Sequence, residues 1–229
     1  LVVGGLTPMS TTDYPDHLAA VVFCQGCPWR CRYCHNPHLL AAEGTAQIVW
    51  TDVLSFLHRR RGLLDAIVFS GGEPLAQTGL ADAMREVQGM GFRIGLHTGG
   101  AYPKRFAEAL SLVDWVGFDI KASFAEYSRI TMAPGSGDRA LESAKRLIGS
   151  GVAHEFRTTV HPRQHDRHTL ERLTEELVGL GARGYTLQEF RVDGCADTQL
   201  VEDLPGSFLS ESWCAGLAAK FDTFAIRRA

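Results

Sequence analysis

The chain has 229 residues, 45% of them hydrophobic and 21% charged, with a formal net charge of −3 at pH 7. That balance suits an ordinary globular chain with a full core of its own, read as one domain over 1–229, and leaves no electrostatic footprint for nucleic acid. No stretch approaches the run of about 20 apolar residues that crosses a bilayer, so no membrane partner is expected either.

The opening Leu1-Val2-Val3-Gly4-Gly5 lacks the basic region and long apolar segment of a secretory signal and, without an initiator Met, reads as trimmed. Gly4 to Asp16 reads as an N-terminal hairpin or arm within residues 1–17. Residues 18–191 then alternate short β-type runs with helical patterns. The strand candidates are Leu18 to Phe23, Ala66 to Phe69, Phe92 to Leu96, Trp115 to Ile120, Phe156 to Val160 and Tyr185 to Phe190. Helical spacing of i, i+3, i+4, i+7 recurs between them, as in Trp50, Val53, Leu54 and Leu57, in Leu80, Ala83, Met84 and Val87, and in Phe106, Ala109, Leu110 and Val113. Further helices are expected over Asp138 to Ile148 and His168 to Leu180, with Gly181 as a stop. The segment 192–229 reads as a C-terminal extension carrying a last helix, Leu209 to Lys220. This alternation predicts an α/β fold on a parallel sheet, and periodicity alone does not separate a doubly wound sheet from a partial barrel.

Four of the six cysteines crowd into residues 24–34, which favours a reducing cytoplasm and a metal site over a disulfide framework. Cys195 and Cys214 stand apart and read as structural. The run Cys27-Pro28-Trp29-Arg30-Cys31-Arg32-Tyr33-Cys34 spaces three thiols as Cys-x3-Cys-x2-Cys. Three cysteines can hold a 4Fe-4S cluster by three irons and leave the fourth iron open to a substrate, whereas four close the shell. Cys24 adds a second pair and blurs that count. The resulting order still differs from a bacterial ferredoxin run, and it is too compact for a zinc ribbon with pairs about 15 to 20 residues apart. A zinc knot that recruits His35 stays open at this point.

Every candidate strand ends in polar residues, and in parallel β-α folds ligands meet those ends. After the cysteine loop come Ser70-Gly71-Gly72-Glu73-Pro74, His97-Thr98-Gly99-Gly100, Asp119-Ile120-Lys121, Arg157-Thr158-Thr159 and Gln188-Glu189-Phe190-Arg191. Gly71 and Gly72 let backbone approach a ligand closely. Asp119 and Lys121 share a strand face, where they form either a mutual salt bridge or part of a ligand pocket. Arg157 and Arg191 carry guanidinium groups suited to a carboxylate. His97 reads first as a structural histidine. His161, His165 and His168 suggest metal at first sight, but Pro162 and the neighbouring charges favour a solvated loop and helix start.

Together Thr11-Thr12-Asp13-Tyr14-Pro15, the run from Phe23 to Pro37, Phe69 to Leu75 and Leu187 to Arg191 resemble the radical S-adenosylmethionine (SAM) family labelled anaerobic ribonucleoside-triphosphate reductase activating protein. The resemblance covers essentially the whole chain. It implies a partial (β/α)6 barrel of the radical SAM type and one 4Fe-4S cluster on Cys27, Cys31 and Cys34, with Cys24 outside the shell. It implies SAM as second cofactor, with Tyr33, Asn36, Gly71, Gly72, Glu73, Pro74, Thr98, Asp119, Lys121, Arg157 and Arg191 as binding candidates. The implied activity is reductive cleavage of SAM to methionine and a 5'-deoxyadenosyl radical, with an electron from a flavodoxin or ferredoxin, then hydrogen abstraction from one glycine of a partner enzyme. His97 stands where the activases of pyruvate formate-lyase usually carry an aspartate, which puts the monovalent-cation site of that aspartate in question. Three alternatives remain: an activase of another glycyl radical enzyme such as pyruvate formate-lyase, a small-molecule enzyme of the carboxydeazaguanine synthase kind, and a zinc or ferredoxin-like module that is not an enzyme.

Overall fold

A computed structural model describes residues 1–44, 48–202 and 204–229. Eight strands form one sheet in strict chain order: β1 Val3–Ser10, β2 Ala19–Cys24, β3 Ala66–Gly71, β4 Arg93–Thr98, β5 Trp115–Asp119, β6 Ala153–Val160, β7 Gly184–Glu189 and β8 Thr223–Arg227. Every neighbouring pair from β2 to β8 is parallel, and β1 runs antiparallel to β2. A doubly wound sheet reverses its strand order at a switch point. This one never reverses, so with crossovers of one hand the helices gather on one face and the sheet rolls into a barrel wall. Among the described residues β1 and β8 do not pair, and the barrel stays open.

The six expected strands are β2 to β7; within residues 1–17 there is one strand, β1, and its partner is β2 rather than a second strand of that segment. The C-terminal extension contributes more than its helix, because β8 joins β7 in parallel and adds a seventh strand to the parallel wall. The outer layer is α1 Trp50–His58, α2 Leu80–Gly89, α3 Pro103–Ala109, α4 Tyr127–Thr131, α5 Ser136–Ser150, α6 Arg167–Leu180, α7 Thr198–Val201 and α8 Glu211–Ala218. Each of the long helices buries an apolar stripe, such as Leu80, Ala83, Met84 and Val87 on α2. Asp166 caps α6 by accepting from the Thr169 amide, with Thr169 answering in a capping box. No helix among the described residues is long and apolar enough to cross a membrane.

Strand parity sorts the two faces of the sheet. Val22, Ile67, Phe69, Ile94, Leu96, Val116 and Phe118 point outward into the large core with the helices. The inward face has an apolar floor of Tyr14, Ala19, Val21, Ala66, Val68 and Trp115, with the Tyr14 and Trp115 rings 5.4 Å apart. Above that floor, at the C-terminal ends, the inward positions turn polar: Ser70, His97, Asp119, Arg157 and Thr159.

The His161 to His168 segment departs from a solvated loop. His161 and His165 are buried, at 0% and 3% exposure, and only His168 lies on the surface at the helix start. Both buried rings are fully hydrogen-bonded to protein. His165 Nδ1 accepts from the His161 amide (3.1 Å) and Nε2 donates to the Lys121 carbonyl (2.9 Å). His161 Nδ1 accepts from the Arg163 amide (3.0 Å) and Nε2 donates to the Leu200 carbonyl (3.0 Å). These bonds fix neutral tautomers, and burial pushes His165 down to about 4. A histidine depressed on folding contributes stability that is complete above pH 6.5 and lost as pH falls toward 4. Urea unfolding is therefore expected to show stability declining from pH 7.5 to pH 4.5, with roughly 3 kcal/mol at most from His165. His165→Gln should flatten that slope, and parallel curves for the two proteins would refute the assignment.

Candidate active site at the strand ends

Cys27, Cys31 and Cys34 line one cleft above the sheet. Tyr33, Asn36, Gly71, Gly72, Glu73, Thr98, Asp119 and Lys121 line it with them. Arg157 and Arg191 line an adjoining open cleft that shares His35, Asn36, Gly71, His97 and Asp119 with the first. Pro74 lines neither; it is buried and starts the 3-10 turn Pro74–Ala76 behind the loop. Cys24 is the last residue of β2, fully buried, and its parity with Val22 turns it into the helical layer, away from the cleft.

The backbone stitches the cysteine loop to its neighbours. The amides of Gly26 and Cys27 donate to the carbonyls of Leu39 (2.8 Å) and Leu40 (3.1 Å). Those of Gly72 and Glu73 donate to the carbonyls of Cys24 (3.0 Å) and Gly26 (2.9 Å), so the loops after β2 and β3 hold each other. Gly71 adopts φ +121°, and a Cβ there would sit 2.3 Å from the Cys24 nitrogen, so only glycine allows this approach. The Asn36 amide donates to Cys34 Sγ (3.4 Å).

The Glu73 carboxylate is committed to the scaffold. It accepts from the Leu75 amide (3.1 Å), the Thr98 hydroxyl (2.6 Å) and the Gly99 amide (3.0 Å). Burial raises its pKa, and these three donors act against that rise. The Thr98 hydroxyl is also spent, since it accepts from the Gly100 amide (2.9 Å). The pair therefore locks β3's loop to the end of β4.

Asp119 is ion-paired and also lines the cleft. Its Oδ2 lies 3.3 Å from Lys121 Nζ and its Oδ1 2.5 Å from Arg157 Nε. Burial pushes the carboxyl up, but Arg157 and Lys121 together outweigh this and hold it well below the usual carboxylate range. His97 donates from Nε2 to the Asp13 carbonyl (2.8 Å), and burial followed by Arg157 keeps the ring neutral. The N-terminal arm thus enters the wall of the open cleft through Thr12 and Asp13.

Several cleft residues were not among the predicted SAM-binding candidates. Trp29 is buried with its ring against Gly99, where a Cβ would meet it at 2.3 Å. His35 stacks on Phe190 (5.3 Å) and lies 2.9 Å from the Arg191 carbonyl through Nε2. Ser70 and Thr159 share the inward parity of His97 and Asp119, a signal that counting along each strand would have found. Cys195 is only partly buried and its thiol lies 3.6 Å from the Arg32 carbonyl, while Cys214 is buried as expected.

The residues fit an iron-sulfur cluster with a polar ligand beside it. Burial pushes Cys27 up to about 12 and Cys31 to about 11, and raises Cys34, so these thiols ionise at neutral pH only against bound cations. Among the described residues no three His, Cys, Asp or Glu side chains converge as on one metal ion. Thiolates that each take a different iron need no such convergence. Trp29 Nε1 and Tyr33 Oη are buried without a hydrogen-bond partner among the described residues, and both residues line the cleft.

The Radical SAM superfamily model matches residues 21–175. The chain belongs to the radical SAM superfamily. A Methanocaldococcus jannaschii protein with the provisional name glycyl-radical enzyme activating enzyme MJ1227 is 28% identical over 208 residues, 86% of this chain and 83% of its own. The pyruvate formate-lyase-activating enzyme of Clostridium pasteurianum is 32% identical over 124 residues, 52% of each chain. In fold, the chain resembles Streptococcus suis SuiB bound to precursor peptide SuiA, with a TM-score of 0.70 and 10% identity over 90% of this chain and 47% of SuiB. This radical SAM chain therefore spans most of the archaeal relative but about half the length of the clostridial one and of SuiB.

Proposed function

We propose that this chain is a glycyl-radical-enzyme activase, and that its first candidate partner is an anaerobic (class III) ribonucleoside-triphosphate reductase. The observation that carries the reading is the junction of two clefts, one walled by the three cysteines and the other open to solvent across shared residues His97 and Asp119. Such a junction suits a cofactor beside an entering protein segment. In this reading Cys27, Cys31 and Cys34 hold three irons of a 4Fe-4S cluster. Such a cluster, reduced by one electron, would supply reductive cleavage of SAM to methionine and a 5'-deoxyadenosyl radical, which would leave as 5'-deoxyadenosine after taking a hydrogen atom from a glycine α-carbon of the partner.

The chain's own residues bind, orient and exclude water. The missing Cβ of Gly71 and Gly72 lets their loop pack against the backbone of Cys24 and Gly26, which sets it in the wall of the cleft, and Glu73 holds that loop rigid from behind. Asp119, Lys121 and Arg157 offer one anion and two cations to a ligand with both an ammonium and a carboxylate. Tyr33 and Trp29 close the apolar side. Glycine suits the partner's reacting position, because without a Cβ its backbone can enter a tight site. Six free thiols support a setting in the reducing cytoplasm. A pyruvate formate-lyase is the second reading, favoured by the name of the clostridial relative. The test is electron paramagnetic resonance of the reduced holoenzyme mixed with SAM and each candidate in turn. A glycine-centred doublet on the reductase is expected; a doublet only on pyruvate formate-lyase selects the second reading, and none on any glycyl enzyme refutes the activase.

A further inference from the structure

The segment Thr11 to Pro15 lies against the inner face of the barrel, with Tyr14 in the apolar floor and Thr12 and Asp13 in the wall of the open cleft. Two strand glycines on that face make room. A Cβ on Gly95 of β4 would meet the Tyr14 ring at 2.9 Å, and one on Gly117 of β5 would meet Arg157 Nη1 at 2.8 Å and Cζ at 3.0 Å. Glycine inside a strand costs about 0.5–1 kcal/mol relative to alanine and often marks the close approach of another group. At Gly95 that group is the N-terminal arm, and at Gly117 it is the Arg157 guanidinium.

Arg157 therefore reaches from β6 across β5 toward β4. Its Nε donates to Asp119 Oδ1 (2.5 Å), and Nη1 stands 3.3 Å from His97 Nε2. Nη2 makes no hydrogen bond to the described residues, and the side chain lines the open cleft although the residue is only 9% exposed. His97 is in turn held from the arm. Its Nε2 donates to the Asp13 carbonyl (2.8 Å), and its ring meets Trp115 edge-on at 5.6 Å. Ser10 Oγ donates to Asp13 Oδ2 (2.5 Å), which steadies the residue that offers the carbonyl. With its one proton on Nε2 the imidazole is neutral, and a guanidinium rests against it without repulsion. Asp13, His97, Arg157 and Asp119 form one row of contacts from the arm to the ion pairs of the cleft.

We propose that His97 and Gly117 are positioning residues that aim the Arg157 guanidinium at the carboxylate of bound SAM, with His97 anchored for this by the Asp13 carbonyl of the N-terminal arm. The inference rests on the SAM-binding part of the activase reading, in which Arg157 meets an anionic group of the ligand. An arginine side chain has many rotamers, and its planar fork meets a carboxylate well in only one orientation. Asp119 holds the fork through Nε alone, a single bond about which the plane can turn. The His97 ring at Nη1 and the bare backbone of Gly117 beneath leave it one resting place, with Nη2 kept for the ligand. The ring proton of His97 goes to the arm, so His97 acts through Arg157.

The test is calorimetric titration of the reconstituted holoenzyme with SAM, in single and double variants. His97→Leu removes the donor and keeps the bulk, while Gly117→Ala pushes the guanidinium out of its place. Each is expected to weaken SAM binding about tenfold, as Arg157→Gln does, which is the loss of one charge-assisted hydrogen bond. His97→Gln returns a donor near the position of Nε2 and should restore the affinity. Because both residues act through Arg157, neither change should cost more than about twofold further in an Arg157→Gln background. Iron content and the cluster spectrum before SAM should match wild type throughout. If His97→Leu fails to fold, Gly117→Ala and its double variant decide alone. Losses that add in the double variants would overturn the proposal, because His97 or Gly117 then acts on its own. So would wild-type affinity in His97→Leu, in Gly117→Ala or in Arg157→Gln. Failure of the underlying reading looks different: the wild-type holoenzyme then binds no SAM, and the proposal falls with it.

Discussion

Cys31→Ala is expected to abolish iron-sulfur assembly and SAM cleavage, whereas Cys24→Ala retains both. The two cysteines lie on neighbouring turns of chain but face different environments. Cys31 lines the cleft with Cys27 and Cys34, and removing it leaves two thiols, too few to hold three irons. Cys24 faces the helical layer with 0% exposure, so alanine there removes one buried sulfur and costs about 1 kcal/mol of stability. Iron and sulfide content after anaerobic reconstitution, the visible absorbance of the cluster and methionine release all report the difference. Equal losses in the two variants would mean that the wrong triad has been assigned.

Asp119→Ala should have the next largest effect, because one carboxylate balances two cations. Without it, Lys121 at 17% exposure and Arg157 at 11% face each other with no anion between them. Removing one partner of a fully buried pair costs about 3–5 kcal/mol. Asp119 is itself 33% exposed, so water recovers part of this and roughly 2 kcal/mol is expected. The uncompensated cations also move, and SAM affinity by titration should fall at least about tenfold, a loss of roughly 1.4 kcal/mol, with iron content unchanged. Asp119→Asn keeps the shape and should still lose most of that affinity. Since its carboxyl is held below the usual range, the ion pair's contribution is present at neutral pH and fades only below about pH 4. Unchanged affinity would leave Asp119 a structural residue.

The sheet was legible because six inner runs carry strong apolar signals between helices of clear period. β8 was harder to read: Thr223-Phe224-Ala225-Ile226-Arg227 alternates, but it is short, and an edge strand exposes half its residues, so its composition resembles a loop. Barrel and doubly wound sheet share one periodicity and differ only in strand order, a property of the assembled sheet. The site was readable as residue types at strand ends. The use of each side chain was not, as Glu73 and Thr98 show by spending their oxygens on the scaffold. His161 and His165 look like surface residues beside Pro162, Arg163 and Asp166, and only the fold buries them. Strand parity, which the cysteine spacing alone does not give, turns Cys24 into the helical layer, while the next three thiols line the cleft.

The most direct test of the open three-cysteine site is the electron paramagnetic resonance spectrum of the reduced holoenzyme before and after SAM is added. A site that keeps one iron free for SAM predicts a 4Fe-4S signal whose g-values shift on addition, and that shift should be lost in Cys31→Ala together with the signal. A signal that SAM leaves unchanged would contradict the account, and so would a colourless protein that retains zinc after reconstitution.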